Sequence, residues 1–339
     1  MESLLKCQQM QCPAISNGME TAAEKRKYAV KARSERTWQG IITLCGVLII
    51  ALTLSIVVFL IVKGSGTFTK FHHSIAEFLF SPEWNPTDSP TQFGGKTGAA
   101  VYIFGSILTC GLALLIALPF SLAAAVFMTE ISPKTGTRLF RPAVEIFVGI
   151  PSVVYGWIGL TVLVPFIRRA FHARMGGFSV LAAAIVLAVM IFPTITTMAA
   201  DSIRSVPDIY RQAAYGMGST RFQVIHKVVM PTALPGIVTG VILGLSRAFG
   251  EALAVAMVIG KTRAFPKDLL SPTSNLTAAI AADMGNTADG GEANTALWSM
   301  AMLLLFICMF FILLIHVVSG RDPDRESAAK KRKVKTVET

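Results

Sequence analysis

Six runs of about twenty or more apolar residues, spread over most of a 339-residue chain, decide what it can fold into. They cover about 41–62, 99–128, 143–167, 178–200, 236–260 and 296–319. In hydrocarbon every backbone N–H and C=O must be bonded within the structure, so each run reads as a spanning helix. The expected fold is an all-α membrane protein with six transmembrane helices. Its composition, 53% hydrophobic and 15% charged, excludes an ordinary soluble domain of this size. Pro119 and Pro151 mark the second and third runs as long or broken. About forty mostly polar residues precede the first run, with no short apolar segment before a cleavage site, so that run is expected to stay as an anchor.

Charge placement sets the orientation. Of 31 Lys and Arg, 21 fall in the N-terminal tail, the loops after spans two and four, and the C-terminal tail. The other three loops hold 9, and Arg247 lies inside a span. This asymmetry predicts that both termini are cytoplasmic. The organisation follows as a tail (1–40), a six-span domain (41–319) and a basic tail (320–339). Residues 201–235 form a cytoplasmic loop, and 63–97 and 261–295 are long outer loops. The acids Glu77, Glu83, Asp88, Asp283, Asp289 and Glu292 fall outside. The first outer loop is rich in Pro and aromatics (Phe78, Phe80, Pro82, Trp84, Pro86, Pro90, Phe93), and the second carries an Ala-rich piece at 277–284. The run Lys330-Lys331-Arg332-Lys333-Val334-Lys335 fits nucleic-acid chemistry or a juxtamembrane positive-inside signal. Six spans favour the second, with the lipid bilayer and no nucleic acid as partner. Cys7, Cys12, Cys45, Cys110 and Cys308 have no metal spacing and predict no disulfide framework.

Gly95-Lys96-Thr97 looks like the end of a phosphate-cradling loop, but the pattern needs glycine where Pro90 stands. The chain therefore carries no nucleotide site or cofactor of its own, and any use of ATP belongs to a partner.

The loop 201–235 reads as a compact helix-turn-helix. Ser205-x-x-Asp208, with Pro207 in the first turn, predicts one helix start, and Thr220-x-x-Gln223 predicts a second. Gly216 and Gly218 allow the turn between them, and Pro231 is read as the stop. Phe222, Ile225 and Val229 share one face of the second helix. Pattern alone also fits an amphipathic connector in the membrane interface.

Arg247 and Glu251 stand four residues apart, and so on one face of a continuous helix near the bilayer middle. An ionised residue there costs about 2.5–3.5 kcal/mol on insertion scales. Two readings stay open: a self-neutralising pair that fixes packing, or a cationic site on an anion pathway with Glu251 holding Arg247 when no anion is bound. The planar guanidinium fork suits a tetrahedral oxyanion. Glu145, in the first turn of span three, is expected to complement the helix N-terminus. Gly149, Pro151, Ser152, Gly156 and Gly159 predict close helix approach or an unwound turn.

Gln212-Ala213-Ala214, Gly218 and Val228-Val229-Met230-Pro231 resemble the EAA loop of bacterial ABC importer permeases, E-A-A-x-x-x-G-x9-I-x-L-P. Gln212 stands for the acid, Val228 for Ile and Met230 for Leu. Ile150-Pro151-Ser152-Val153-Val154-Tyr155-Gly156, Gly244-Leu245-Ser246-Arg247-Ala248-Phe249-Gly250-Glu251 and Phe78-Leu79-Phe80-Ser81-Pro82-Glu83-Trp84 resemble the PstC-type permeases of phosphate-specific importers. The resemblance covers roughly 41–320. It implies the type I importer architecture in the bacterial inner (plasma) membrane. It also implies a PstA-like second permease, a cytoplasmic ATPase dimer and an extracytoplasmic phosphate-binding protein. By the same resemblance, Gln212, Ala213, Ala214, Gly218 and Pro231 would couple to the ATPase; from their own chemistry, Arg247 and Glu251 are the substrate-pathway candidates. The chain itself would be no enzyme and bind no metal. The alternatives are a permease for another oxyanion, such as sulfate or molybdate, and a partner-free secondary transporter or channel.

Overall fold

The computed structural model describes residues 22–86, 95–173 and 176–319. The expectations for Cys7, Cys12, Asp88, Pro90, Phe93 and the tail 320–339 lie outside the described residues. By internal contacts the chain divides after Val58. The described part of the first unit belongs to one long helix, Ala22–Gly64.

Six helices are long and apolar enough to cross a membrane: Trp38–Thr69, Ala100–Ile131, Ser152–Phe171, Val180–Arg204, Arg221–Gly250 and Glu292–Ile315. They are called spans one to six. In the second unit, span four is the most buried. It packs on span two with buried alanines on both sides: Ala113 and Ala117 share a cluster with Ala183, Ala184 and Ala188, and Ala125 with Ala199 and Ala200. Small side chains let the backbones approach closely, which is how helices pack without a hydrophobic driving force between them. Span five uses glycines four residues apart. A Cβ added at Gly236, Gly240 or Gly244 would lie 2.3 Å from Ser202 Oγ, 2.7 Å from Met198 Cβ or 2.7 Å from Ile195 Cγ1. These pairs also show that spans four and five run antiparallel.

The prolines act differently. Pro119 lies inside an unbroken helix, Ala100–Val126. Pro151 does break its run. A helix α1 (Arg141–Gly149) ends, Ile150 is extended with ψ 127°, and α2 (Ser152–Ile158) starts afresh. The residue before proline is pushed out of the helical region, and here nothing overrides that preference. Span three therefore begins at Ser152, not near residue 143.

Between spans four and five lies α3 (Asp208–Gly216). Span five itself starts at Arg221 and ends at Gly250, against an expected 236–260. A separate helix α4 (Leu253–Val258) follows. Pro231 stops nothing. It lies inside the continuous span Arg221–Gly250, two residues past a widened turn. The turn before it, Ile225–Val229, is widened, with Met230 N–H donating to the Ile225 carbonyl.

The loops expected on the outer side are more built, in their described residues, than their composition suggests. Strands β1 (Trp84–Asn85) and β2 (Lys96–Thr97) pair antiparallel, so Lys96 and Thr97 belong to a ribbon and not to a phosphate loop. Lys96 bonds the Glu83 carboxylate, which holds its pKa above the ordinary lysine value. After span five, α5 (Leu276–Asp283) is capped by Asn275, whose side chain accepts the Ala278 N–H at 2.8 Å. Its first turn is buried: Leu276 N–H donates to Ser106 Oγ of span two at 3.0 Å, and Gly105 leaves room for the Ser274 carbonyl.

Candidate functional site: two broken helices and a helical hairpin

The structure separates Arg247 from Glu251. The helix ends at Gly250, and Glu251 is extended with ψ 119°. The four-residue spacing brings no contact between the two charges: no Arg247–Glu251 ion pair occurs among the described residues. Arg247 Nη1 instead donates to Thr194 Oγ1 of span four at 3.1 Å. Glu251 serves the break itself. Its Oε1 accepts the Ala254 N–H at 3.1 Å, in the first turn of α4. Its carbonyl accepts from Thr277 Oγ1 of α5 at 2.8 Å. A helix start favours an acid there, because its first N–H groups have no partner within the helix.

The helices that follow the two breaks meet. Gly156 on α2 lies so close to α4 that an added Cβ would sit 2.7 Å from Ala254 Cα. Gly159 is equally tight, 2.8 Å from Val186 and from Val258. Tyr155 Oη bridges the span-three break by donating to the Phe147 carbonyl at 2.8 Å. The expectation of close approach or an unwound turn thus resolves by position: unwinding at Ile150 and Pro151, close approach at Gly156 and Gly159. Irregular backbone at membrane depth is tolerated where it is buried in protein or lines a wet cavity. Arg247 sits one turn before such a break, half-buried, with a neutral hydroxyl as its hydrogen-bond partner. Among the described residues no carboxylate forms an ion pair with it. Glu145 accepts from Arg141 Nε at 3.1 Å and lies beyond the first turn of α1, so it pairs with a side chain and does not cap a helix.

The hairpin forms much as its motifs predict at the turn, and differently at both ends. Gly218 has φ +81°, and its N–H donates to the Tyr215 carbonyl at 2.9 Å. Ser219 N–H donates to the Ala214 carbonyl at 3.1 Å, which completes a Schellman closure of α3. Thr220 and Gln223 form the full capping box. The box expected at Ser205 does not form. Pro207 stands at the N-cap, outside the helix, and Ser205 Oγ donates to the Ser202 carbonyl at 2.7 Å. Widening at Ile225–Val229 also shifts the buried face, which holds Val224 and Val229 while Phe222 is 75% exposed. Ala214 is buried; Gln212, Ala213, Gly218 and Pro231 are exposed. Ile209, Tyr210, Tyr215 and Met217 are exposed beside them, apolar surface of the kind that marks a protein or membrane contact.

Sequence reasoning missed Glu130. It accepts from Arg211 Nη2 at 2.8 Å, and its carbonyl accepts from Arg221. The one available signal was an acid at the end of an apolar run on an otherwise basic face.

Residues 117–321 match the family model described as binding-protein-dependent transport system inner membrane component. The chain is 48% identical over 281 residues to the probable ABC transporter permease protein YqgH of Bacillus subtilis, covering 83% of this chain and 89% of that protein. It is 36% identical over 256 residues to the phosphate transport system permease protein PstC of Mesorhizobium japonicum, covering 70% and 76%. Against the protein of that name from Haemophilus influenzae it is 30% identical, covering 87% and 96%. Among solved structures it is similar to a chain of a bacterial alginate ABC transporter in complex with an alginate pentasaccharide-bound periplasmic protein. The TM-score is 0.53 at 16% identity, covering 81% and 94%, which speaks for the fold alone.

Proposed function

Because the chain belongs to the family of binding-protein-dependent transport inner membrane components, we propose that it is the PstC-like permease subunit of an ATP-driven phosphate importer in the bacterial inner membrane. Relatives bearing the PstC name support phosphate as the substrate. The observation that carries the pathway is Arg247, a cation at a helix break whose hydrogen-bond partner is the neutral Thr194. A guanidinium fork binds a tetrahedral oxyanion through charge-assisted hydrogen bonds.

The partners are a PstA-like permease, a cytoplasmic ATPase dimer and an extracytoplasmic phosphate-binding protein. ATP hydrolysis belongs to the ATPase. The exposed apolar side of the hairpin, with Gln212, Ala213, Gly218 and Pro231, docks into it on the cytoplasmic face, where both termini also lie. ATP binding closes the ATPase dimer and moves the hairpin, and the spans open outward. The binding protein then delivers phosphate past Arg247 and the break at Glu251, and hydrolysis restores the inward-open state. Each ligand shifts the equilibrium only by its differential affinity for the two states.

The test is uptake of labelled phosphate into proteoliposomes containing the assembled complex, with ATP supplied on the ATPase side. Uptake that needs ATP and falls with Arg247→Gln supports the reading. Uptake driven by an ion gradient without the ATPase would make the chain a secondary transporter. Competition by sulfate or molybdate at equal concentration would make it a general oxyanion permease.

A further inference from the structure

Glu130 lies in the widened turn that ends span two, Phe127–Ile131. Its side chain is 12% exposed, and that of Arg211 on α3 is 16% exposed. Two nitrogens of the guanidinium donate to the same Glu130 oxygen, Nη2 at 2.8 Å and Nε at 3.3 Å. The remaining donors bind the start of the hairpin. Nη2 also reaches the Ile203 carbonyl at 2.9 Å, and Nη1 reaches the Val206 carbonyl and Asp208 Oδ1 at 3.0 Å. From the other arm, Arg221 donates to the Glu130 carbonyl and to the Ile131 carbonyl at 3.0 Å. Both arms of the hairpin therefore grip one two-residue segment at the end of span two.

Stability alone does not call for this arrangement. Ala125 and Met128 of span two already pack with Ala214, Val224 and Val229 of the hairpin in one apolar cluster. Apolar packing is non-directional, and a buried ion pair is often no more stabilising than an apolar pair of similar volume. What a guanidinium fork adds is a fixed direction and register. The covalent chain joins the hairpin to spans four and five only. Contact with span two depends on side chains.

We infer that Glu130 and Arg211 are positioning residues for energy coupling: they make span two move with the hairpin when the ATPase displaces it. This rests on the function proposed above. The pair touches no substrate and acts through the direction in which it transmits a displacement.

The test uses the full-length chain assembled with its partner subunits in proteoliposomes, reading assembled complex, ATP hydrolysed and phosphate taken up. Glu130→Gln is expected to leave assembly and ATP hydrolysis in place and to lower phosphate taken up per ATP by roughly fivefold or more. Glu130→Asp, which keeps the charge, is expected to recover most of that ratio. The double variant Glu130→Met with Arg211→Leu separates positioning from stability, because an apolar pair restores packing without direction. It is expected to assemble and to stay poorly coupled, and it carries the test if Glu130→Gln fails to assemble. An unchanged ratio in Glu130→Gln, or a ratio restored by the apolar pair, overturns the inference. If the wild-type complex takes up no phosphate with ATP, the proposed function fails and this inference with it. If the wild type and the variants are all coupled, only the positioning role fails.

Discussion

Replacing Gly218 tests the hairpin at its most exposed point. Gly218 has φ +81°, and a Cβ built there meets nothing within 4 Å. A larger residue therefore clashes with no neighbour, and the penalty is the backbone's alone. For an L-residue in the left-handed region it is roughly 1–2 kcal/mol. At about 1.4 kcal/mol per tenfold, the equilibrium constant for the closed turn should fall about five- to thirtyfold. Two hydrogen bonds open with it, Gly218 N to Tyr215 O and Ser219 N to Ala214 O. The cluster holding Ala214, Val224 and Val229 is separate from the turn, so the spans should stay folded. The assay is co-purification of the ATPase with Gly218→Asn, Gly218→Ala and Gly218→Val, normalised to inserted permease. Asn tolerates the left-handed region and should cost least, and β-branched Val should cost most. Wild-type co-purification by the Val variant would refute the docking role. A fall with Asn as deep as with Val would refute the backbone argument and point to side-chain bulk.

Arg247→Gln removes the charge and should lower phosphate uptake about tenfold or more, the weight of a lost charged hydrogen bond, while Arg247→Lys should lose less; labelled-phosphate uptake decides it. Thr277→Val keeps the shape but strips a hydrogen bond from the Glu251 carbonyl, and should destabilise the purified complex by about 1–3 kcal/mol, read as a lower melting temperature. Gly240→Leu puts its Cβ 2.7 Å from Met198 Cβ and should cost about 1–3 kcal/mol by overpacking. Gly111→Leu, with nothing within 4 Å of its Cβ, should leave the melting temperature unchanged.

The six spans were legible because a bilayer forces long apolar runs. The turn at Gly218 and the cap at Thr220 were legible because their signals are local. The end of span five was not. Apolar residues continue through Leu253–Val258, so hydropathy ran past the break at Glu251, and the Arg247–Glu251 pairing inferred from helical spacing failed with it. Pro231 gave the opposite error, since a proline that follows a widened turn within a helix looks in sequence like one that ends it. The grip of Arg211 on Glu130 joins residues 81 positions apart, and only packing of span two near the hairpin brings them together. Burial of α5 was hidden because its small residues read equally well as a loop.

An α-helix transmits torque because hydrogen bonds lash each turn to the next. At Glu251 the lashing ends in a single three-residue bond, Glu251 N to Ala248 O at 3.3 Å. Torque entering span five therefore meets a gap in that lashing between the turn that carries Arg247 and α4, which packs against α2 and α5.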